Sequence, residues 1–336
     1  MQQFQENVQR VGCCINAAGP DLCPADRKMY ALRDVTCTVE CIPLQTASIM
    51  CKKIAEHPDS IILDVKYGTG AFQSTAEGAA ELATSMVHTG KANGLNPTTA
   101  FLTRMSQPLG YAIGNWYEIQ ECLEILQGQF SKHNYDLVSL VSLQAGQMLL
   151  QSGLFQGKSL DDLTQLAFER LQTGAAVAKF KEMALTQGAD PKGTETLWYP
   201  SKDKLYHGIS VKAPRSGWIT DTHNMQLGWM AVALGAGRRM AHESVDPYAG
   251  ILLDVKIGTH VQEGDTLATL YGPPSKIHQS LLEKTAACFV VQDSDKELER
   301  VPVVTHCVTV KDGVQKLDWD DLPPVFRSIY PPELQS

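Results

Sequence analysis

The sequence lacks several features that would place it in other classes of protein. No apolar run approaches the roughly 18 residues of a transmembrane helix, and the first ten residues, MQQFQENVQR, lack the apolar core of a signal peptide. The nine cysteines form no Cys-x-x-Cys pair, and none has a histidine at metal-ligand spacing. These absences argue against a membrane protein, a disulfide scaffold and a zinc site. They indicate free, mostly buried thiols in a reducing, cytoplasmic compartment.

An excess of positive charge is also missing. The chain has 29 basic and 37 acidic residues, a net charge of −8, and charged residues make up 20% of it. This balance argues against nucleic acid or an anionic membrane as the main partner. The 336 residues, 43% of them hydrophobic, are enough for one large or two modest domains with a proper core.

The first third of the chain alternates between strand and helix patterns. An apolar run at 61–66 enters the turn Gly68-Thr69-Gly70, a helix pattern follows at about 75–93, and a second strand pattern covers 98–103. This order predicts a βαβ unit of a parallel sheet. Ligands of such sheets bind at the carboxyl ends of strands, which places Asp64, Lys66 and the glycine turn well for function. Turn geometry alone explains the glycines equally well.

The other segments divide into helices and a β-rich module. The patterns predict a short helix and strand and then a Pro/Asp loop at 1–30, and helices at 31–57, 115–126 and 134–199, with a Ser159–Asp162 capping box and a last helix closed by Gly188. After a composition shift at 200–213, GILLDVKIGTHVQEGDTLATLY has the alternation and Gly-Asp turns of a lipoyl or biotinyl hammerhead. A carrier domain would need an exposed lysine at its hairpin tip, and the matching stretch, from Leu267 to Leu270 and the Pro-Pro loop that follows, has none.

Three polar residues could together bind a small polar ring. Pro43 and the good helix formers after it predict a helix, from which Ser48 and Lys52 project on one face. Arg33 lies upstream, and only the fold could bring it close. A bidentate donor, a hydroxyl and an ammonium suit a heterocycle with adjacent carbonyl and N–H groups. The alternative is a solvated helix face and an arginine in an unrelated ion pair, and spacing alone favours this alternative.

Several motifs occur in a specific order along the chain. They are PADRKMY, YALRDVT, CIPL, TASIMCKK, DVKYGTGAF, RMSQPLGYAIGN and LGAGRR. In this order and spacing the chain resembles the thymidine and pyrimidine nucleoside phosphorylases over nearly its whole length. The resemblance implies an α/β fold, with a partial mixed or parallel sheet and flanking helices plus a carboxyl-terminal α/β hammerhead domain. It implies an incomplete α/β domain at 1–199, whose residues 25–57 cross into a helical domain, and a hammerhead-like domain at 200–336.

The same resemblance implies a binding site for a pyrimidine base. Arg33, Ser48 and Lys52 fall on the family's base-binding positions. Val39 and Phe72 fall on apolar positions that line the base. Gln45 stands where relatives have an apolar residue. This departure makes the expected pocket more polar, so selectivity for the thymine methyl group does not follow from the resemblance.

A potassium site is also implied by the resemblance. Its ligands in this chain would be the carbonyl oxygens of Leu109 and Ala112 and the carboxylate of Glu121. A hard, weakly charged cation takes oxygen ligands, and an irregular loop offers carbonyls to it. The alternative is that Glu121 is a solvated helix carboxylate, which the sequence alone favours.

The implied activity is transfer of a ribosyl or deoxyribosyl group from a pyrimidine to inorganic phosphate. The products are the free base and the pentose 1-phosphate, and the implied assembly is a cytoplasmic homodimer that uses phosphate as co-substrate and no organic cofactor. The family's phosphate-binding residues fall upstream of residue 1, so no phosphate-binding residue is predicted in this chain. The alternative is therefore a truncated, catalytically impaired paralogue that acts as a binding or regulatory protein.

Overall fold

The fold is a mixed α/β arrangement with two regions of sheet. The computed structural model describes residues 2–15, 22–198, 205–240, 243–293 and 302–325, so the boundary predicted at Pro200–Asp203 lies outside the described residues. The helices are α1 (Gln2–Val11), α2 (Pro24–Thr36), α3 (Ile42–Glu56), α4 (Ala76–Ala92), α5 (Asn115–Leu126), α6 (Tyr135–Gln151), α7 (Leu160–Gln172), α8 (Ala175–Thr186), α9 (Pro191–Trp198), α10 (Asn224–Leu234) and α11 (Gln279–Ala286). The strands are β1 (Ile61–Tyr67), β2 (Thr98–Arg104), β3 (Ala112–Ile113), β4 (Ile209–Lys212), β5 (Gly217–Thr222), β6 (Gly250–Leu253), β7 (His260–Val261), β8 (Thr266–Tyr271), β9 (Phe289–Gln292), β10 (Val304–Thr309) and β11 (Gly313–Lys316).

The first sheet has the order β1-β2-β10-β11 among the described strands. β1 and β2 run parallel and are joined by α4, with Ile61 opposite Thr98. This confirms the predicted βαβ unit. β10 returns antiparallel to β2, and β11 pairs antiparallel with β10, so the predicted mixed sheet is confirmed.

Apolar residues on both faces of β2 explain why this strand is central. Ala100 and Leu102 point to the side of α4 and share a buried cluster with Leu63 of β1. Phe101 points to the opposite side and packs among α6 residues that include Val138. Successive side chains of a strand alternate between faces, and helices cover both faces here, as parallel strands require.

The second region of sheet is the β-rich module expected from the hammerhead pattern. One sheet has the order β3-β6-β8-β4 and the other β7-β5-β9, and they share a buried apolar core with α10 and α11. β3 follows β2 in the chain but pairs with β6, so the loop between β2 and β3 passes from one region to the other. Residues 302–325 extend the first sheet and its core, unlike the predicted division, which assigned all of 200–336 to the second domain.

Two predictions of local structure need correction. The single helix expected from Ser159 to Gly188 is two helices, because Gly174 adopts φ 74°, a left-handed conformation that glycine tolerates and that interrupts a helix. The capping box at its start is confirmed, since Ser159 and Asp162 bond each other's backbone N–H. Near the amino terminus, Pro24 begins α2 where a loop was expected, and the described residues before it contain no strand.

The cysteine prediction was wrong in one respect. All nine cysteines carry free thiols, but only Cys288 is buried, and Cys37, Cys41 and Cys122 are exposed. Cys37 and Cys41 flank the tight connection between α2 and α3, where the chain lies at the surface. None of the helices in the described ranges has the length and apolar character needed to cross a bilayer.

Replacing Leu102 by alanine tests the two-sided burial of β2. The side chain is 0% exposed, so Leu102→Ala is expected to lower the free energy of unfolding by about 2–5 kcal/mol through lost burial and a residual cavity. Urea denaturation followed by circular dichroism measures the change. Val314→Ala, in β11 of the same sheet and 47% exposed, is the control, with an expected change within about 0.5 kcal/mol. Equal effects would contradict this account of the core.

Candidate functional site

The connection between α2 and α3 folds around the side chain of Arg33. Arg33 is 5% exposed, and its guanidinium donates to the carbonyl oxygens of Thr38 (3.3 Å), Leu44 (3.5 Å) and Val39. It also lies 5.5 Å from the centre of the Tyr30 ring. These contacts satisfy two carbonyls of the α2–α3 connection and one in the first turn of α3, which sets the orientation of α3 against α2.

Lys52 and Ser48 lie on the face of α3 that meets α2. The Lys52 ammonium donates to Asp26 Oδ2 at 2.5 Å, to the Ser48 carbonyl at 2.7 Å and to Ser48 Oγ at 3.4 Å. Burial raises the pKa of Asp26, but hydrogen bonds from Lys52 and Ser48 and the nearby Arg33 charge outweigh it, so the net pKa is below its ordinary value. The tertiary structure therefore brings all three predicted base-binding residues into one cluster.

Asp26 is the member of this cluster that sequence reasoning missed. It lies in the first turn of α2, within the motif PADRKMY, where an acidic residue also favours the helix dipole. That local role gave no reason to connect it with Lys52, 26 positions away. The available signal was the position of an aspartate inside a motif already noted for its resemblance.

The residues predicted to line the base divide into buried and exposed ones. The Gln45 amide is buried and donates to the Val39 carbonyl at 3.0 Å, and its oxygen accepts a bond from Gln73 at 3.4 Å. Gln45 thus links the α2–α3 connection to the segment after the glycine turn. Phe72, in that segment, is 67% exposed. The structure brings Val39 and Gln45 together and leaves the Phe72 ring at the surface.

The carboxyl ends of β1 and β2 meet at the glycine turn. Gly70 N–H donates to the Met105 carbonyl at 3.1 Å. A Cβ on Gly68 would come within 3.1 Å of the Met105 backbone, and its φ is 115°, so the turn requires glycine there. In β1, Asp64 is paired with Lys66 at 2.7 Å and accepts a hydrogen bond from the Thr103 hydroxyl. Thr103 therefore ties this carboxylate to β2.

The loop between β2 and β3 wraps around the carboxylate of Glu121. Tyr111 N–H donates to Oε1 at 2.9 Å, and Ala112 N–H donates to Oε2 at 3.3 Å. Burial raises the pKa of Glu121 to about 7 despite these two hydrogen bonds. A Cβ on Gly110 would lie 2.3 Å from Oε1, so only glycine allows this close approach. Glu121 is buried, which contradicts the alternative of a solvated helix carboxylate.

An open cavity of about 690 Å³ lies between this loop and α10. Its wall includes all three predicted cation ligands, Leu109, Ala112 and Glu121. The opposite side carries the exposed side chains of Met225 and Trp229. The cavity also reaches the glycine turn at Gly70, so the loop between β2 and β3 and the glycine turn line the same cavity.

The Asp26–Lys52 ion pair predicts a pH-dependent contribution to stability. Because the pKa of Asp26 is lower in the folded chain than its ordinary 3.8, the contribution is present above about pH 4 and is lost as the pH falls through the folded value. Asp26→Asn is expected to cost about 1–2 kcal/mol at pH 7.

Urea denaturation of both proteins between about pH 7 and pH 2.5 measures this difference, which should shrink in acid. Glu56→Gln, which removes the exposed pair with Lys53, is the control, with an expected cost below about 1 kcal/mol. A cost of Asp26→Asn that stays constant over this range would refute the assignment.

Comparison with known proteins agrees with this architecture. The profile described as "Glycosyl transferase family, a/b domain" matches residues 1–177, and that described as "Pyrimidine nucleoside phosphorylase C-terminal domain" matches residues 218–292. Pyrimidine-nucleoside phosphorylases of Staphylococcus aureus strains USA300, NCTC 8325 / PS 47 and bovine RF122 / ET3-1 are each 42% identical over 252 residues, which is 75% of this chain and 56% of each relative. The chain thus spans about half the length of these relatives. It belongs to the pyrimidine nucleoside phosphorylase family of glycosyl transferases.

Proposed function

We propose that this chain is the base-binding part of a pyrimidine nucleoside phosphorylase, with thymidine and uridine as candidate substrates. The observation that carries the proposal is the convergence of Arg33, Ser48 and Lys52, together with Asp26, between α2 and α3. The complete enzyme would transfer the pentosyl group from the base to inorganic phosphate in pyrimidine nucleoside salvage or catabolism. It would work as a homodimer, which light scattering of the purified protein tests.

The charges of the cluster suit the leaving group of this reaction. The sugar carbon passes through an oxocarbenium-like state, and the pyrimidine departs with negative charge on its ring and carbonyl oxygens. Lys52 and Arg33 would stabilise that charge as it develops, while the Ser48 hydroxyl would orient the ring. Asp26 would hold the Lys52 ammonium beside Ser48. The Arg33 guanidinium has five N–H groups, and its three hydrogen bonds to carbonyls leave the others for a ligand.

A second candidate is a binding or regulatory protein that keeps the base contacts and cannot phosphorolyse. It is favoured by the polar Gln45, whose buried amide bonds the Val39 carbonyl in the expected base pocket.

Phosphate-dependent release of thymine from thymidine and of uracil from uridine separates these candidates. We expect calorimetry to detect pyrimidine binding by this chain, and turnover only by a longer chain that supplies a phosphate site. Turnover by this chain alone would contradict our placement of the phosphate site. Base binding without turnover in either form would favour the binding protein. Absence of both binding and turnover would refute the base site.

Replacing Lys52 by methionine tests its role in the phosphorolysis assay of an active form. Removing a charge that acts mainly on the departing base is expected to lower kcat by about 10²–10³-fold, with a smaller effect on KM. Lys53→Met is the matched control, because the Lys53 ammonium pairs with Glu56 at the surface. This variant should leave kcat unchanged. Equal losses in the two variants would show that Lys52 has no special role.

The loop around Glu121 is a candidate site for a potassium ion. The donors that the residues offer are all oxygens: the carbonyls of Leu109 and Ala112 and a buried carboxylate whose raised pKa reflects the cost of its charge. A cation would offset that cost, and this donor set suits a hard cation. The ion would supply positive charge beside the loop, and the chain's own residues would hold the loop in place.

Thermal unfolding in potassium chloride tests this site. Potassium is expected to raise the Tm by about 2 °C or more relative to tetramethylammonium chloride at equal ionic strength, because a bound ion stabilises the folded state. Glu121→Gln should remove the increase. Glu118→Gln is the control, since Glu118 also accepts a backbone N–H, from Gly114 at 3.0 Å. An increase that survives Glu121→Gln would place the ion elsewhere.

A further inference from the structure

One lysine of the second region of sheet, which comprises β3 to β9 and is called the second β-region below, is buried against the loop between β2 and β3. Lys256 follows β6, and its side chain is only 5% exposed. Its ammonium donates to the carbonyl oxygen of Pro108 at 2.8 Å, to that of Gly110, and to Asp136 Oδ2 at 2.7 Å. An ammonium has three N–H donors, so these three acceptors satisfy it completely.

Further hydrogen bonds connect Asp136 and the residue after Lys256 to the same loop. The second oxygen of Asp136 accepts Gly110 N–H at 3.2 Å, so Asp136 and Lys256 hold the N–H and the C=O of the same residue, Gly110, which belong to two adjacent peptide units. Beside Lys256, Ile257 N–H donates to Gln107 Oε1 at 2.8 Å. The turn after β6 is therefore hydrogen-bonded to the loop at Gln107, Pro108 and Gly110.

These hydrogen bonds set the direction in which the loop carbonyls point. Lys256 attracts the carbonyls at 108 and 110, and Glu121 receives the N–H groups at 111 and 112. The carbonyls of Leu109 and Ala112 are the ones assigned to a potassium ion above. Because the carbonyls of Pro108 and Gly110 are both held by Lys256, the planar peptide unit between them has little freedom to rotate.

A buried ion pair is an unusual way to obtain stability alone. The desolvation of two charges largely cancels their attraction, and an apolar pair of similar volume often stabilises a protein as well or better. The residues are 120 positions apart, so the pair forms only when the second β-region docks on the first. The desolvation cost of burying this ion pair is explained if Lys256 specifies the conformation of the loop.

We propose that Lys256 is a positioning residue that fixes the 108–112 loop and thereby sets the geometry of the cation site, so that the second β-region controls the site without touching the base. The inference rests on the proposed cation function for its consequence, but the contacts of Lys256 with the loop are independent of it. Its effect would reach the reaction through the loop and Glu121.

Amide hydrogen exchange measured on the whole chain tests the proposal. Lys256→Met alone leaves Asp136 buried and unpaired, which threatens folding, so Lys256→Met combined with Asp136→Asn is the informative variant. Asparagine keeps an oxygen for Gly110 N–H and removes the charge. We expect the amides of Gly110, Tyr111 and Ala112 to exchange about tenfold faster or more, while the core amide of Leu270 in β8 changes less than about twofold.

A second readout is the potassium concentration that gives half of the thermal shift, expected to rise about tenfold or more in the double variant. Lys212→Met is the matched control, since Lys212 bonds Thr266 at 2.9 Å on an exposed strand of the same β-region, and it should change neither readout. Loop amides that exchange at the parental rate would overturn the proposal. So would equal loss of protection at Leu270, or failure of the double variant to fold, because either shows a purely structural lysine. If the parental chain shows no response to potassium, the cation proposal fails, and exchange at the loop amides still decides the role of Lys256.

Discussion

The parallel pairing of β1 with β2 is the constraint on which the two candidate sites depend. Parallel strands end at the same edge of a sheet, so the glycine turn after β1 and the loop after β2 meet there. Their contact is direct, through Gly70 N–H and the Met105 carbonyl. The same carbonyl accepts a bond from Asn224 of α10 at 2.6 Å. The sheet edge thus brings together the glycine turn, the loop between β2 and β3, and the second β-region.

Charge is buried where it organises backbone. Arg33 satisfies carbonyls of the α2–α3 connection, and Lys256 satisfies carbonyls of the 108–112 loop. In each case a cation replaces the regular hydrogen bonds that an irregular segment cannot make for itself. Asp26 pairs with Lys52 near Arg33, and Asp136 pairs with Lys256, so both segments combine a buried cation with a carboxylate. This combination costs desolvation and yields a defined conformation.

The sequence was a good guide wherever local pattern and packing agree. The βαβ unit follows from an apolar strand, a glycine turn and a helix pattern, and β2 is buried on both faces, as a strand with helices on both sides of its sheet is expected to be. The limits of α5 and the capping box at Ser159 also follow from local rules. The candidate base-binding residues could be predicted only through resemblance, since helical spacing joins Ser48 to Lys52 and says nothing of Arg33.

Tertiary structure decided the rest, because distant residues meet only through packing. Asp26 became a partner of Lys52, and Lys256 a partner of Asp136, through contacts that no local pattern encodes. Burial turned Glu121 from an ordinary helix carboxylate into one with a pKa of about 7. The incomplete burial of most cysteines and the return of β10 to the first sheet are likewise properties of the assembled chain. By itself the sequence determined the type and order of most elements, since these depend on periodicity and capping within a few residues. Only the folded chain determined which charges share a site, since the electrostatic environment of a group depends on what surrounds it in three dimensions.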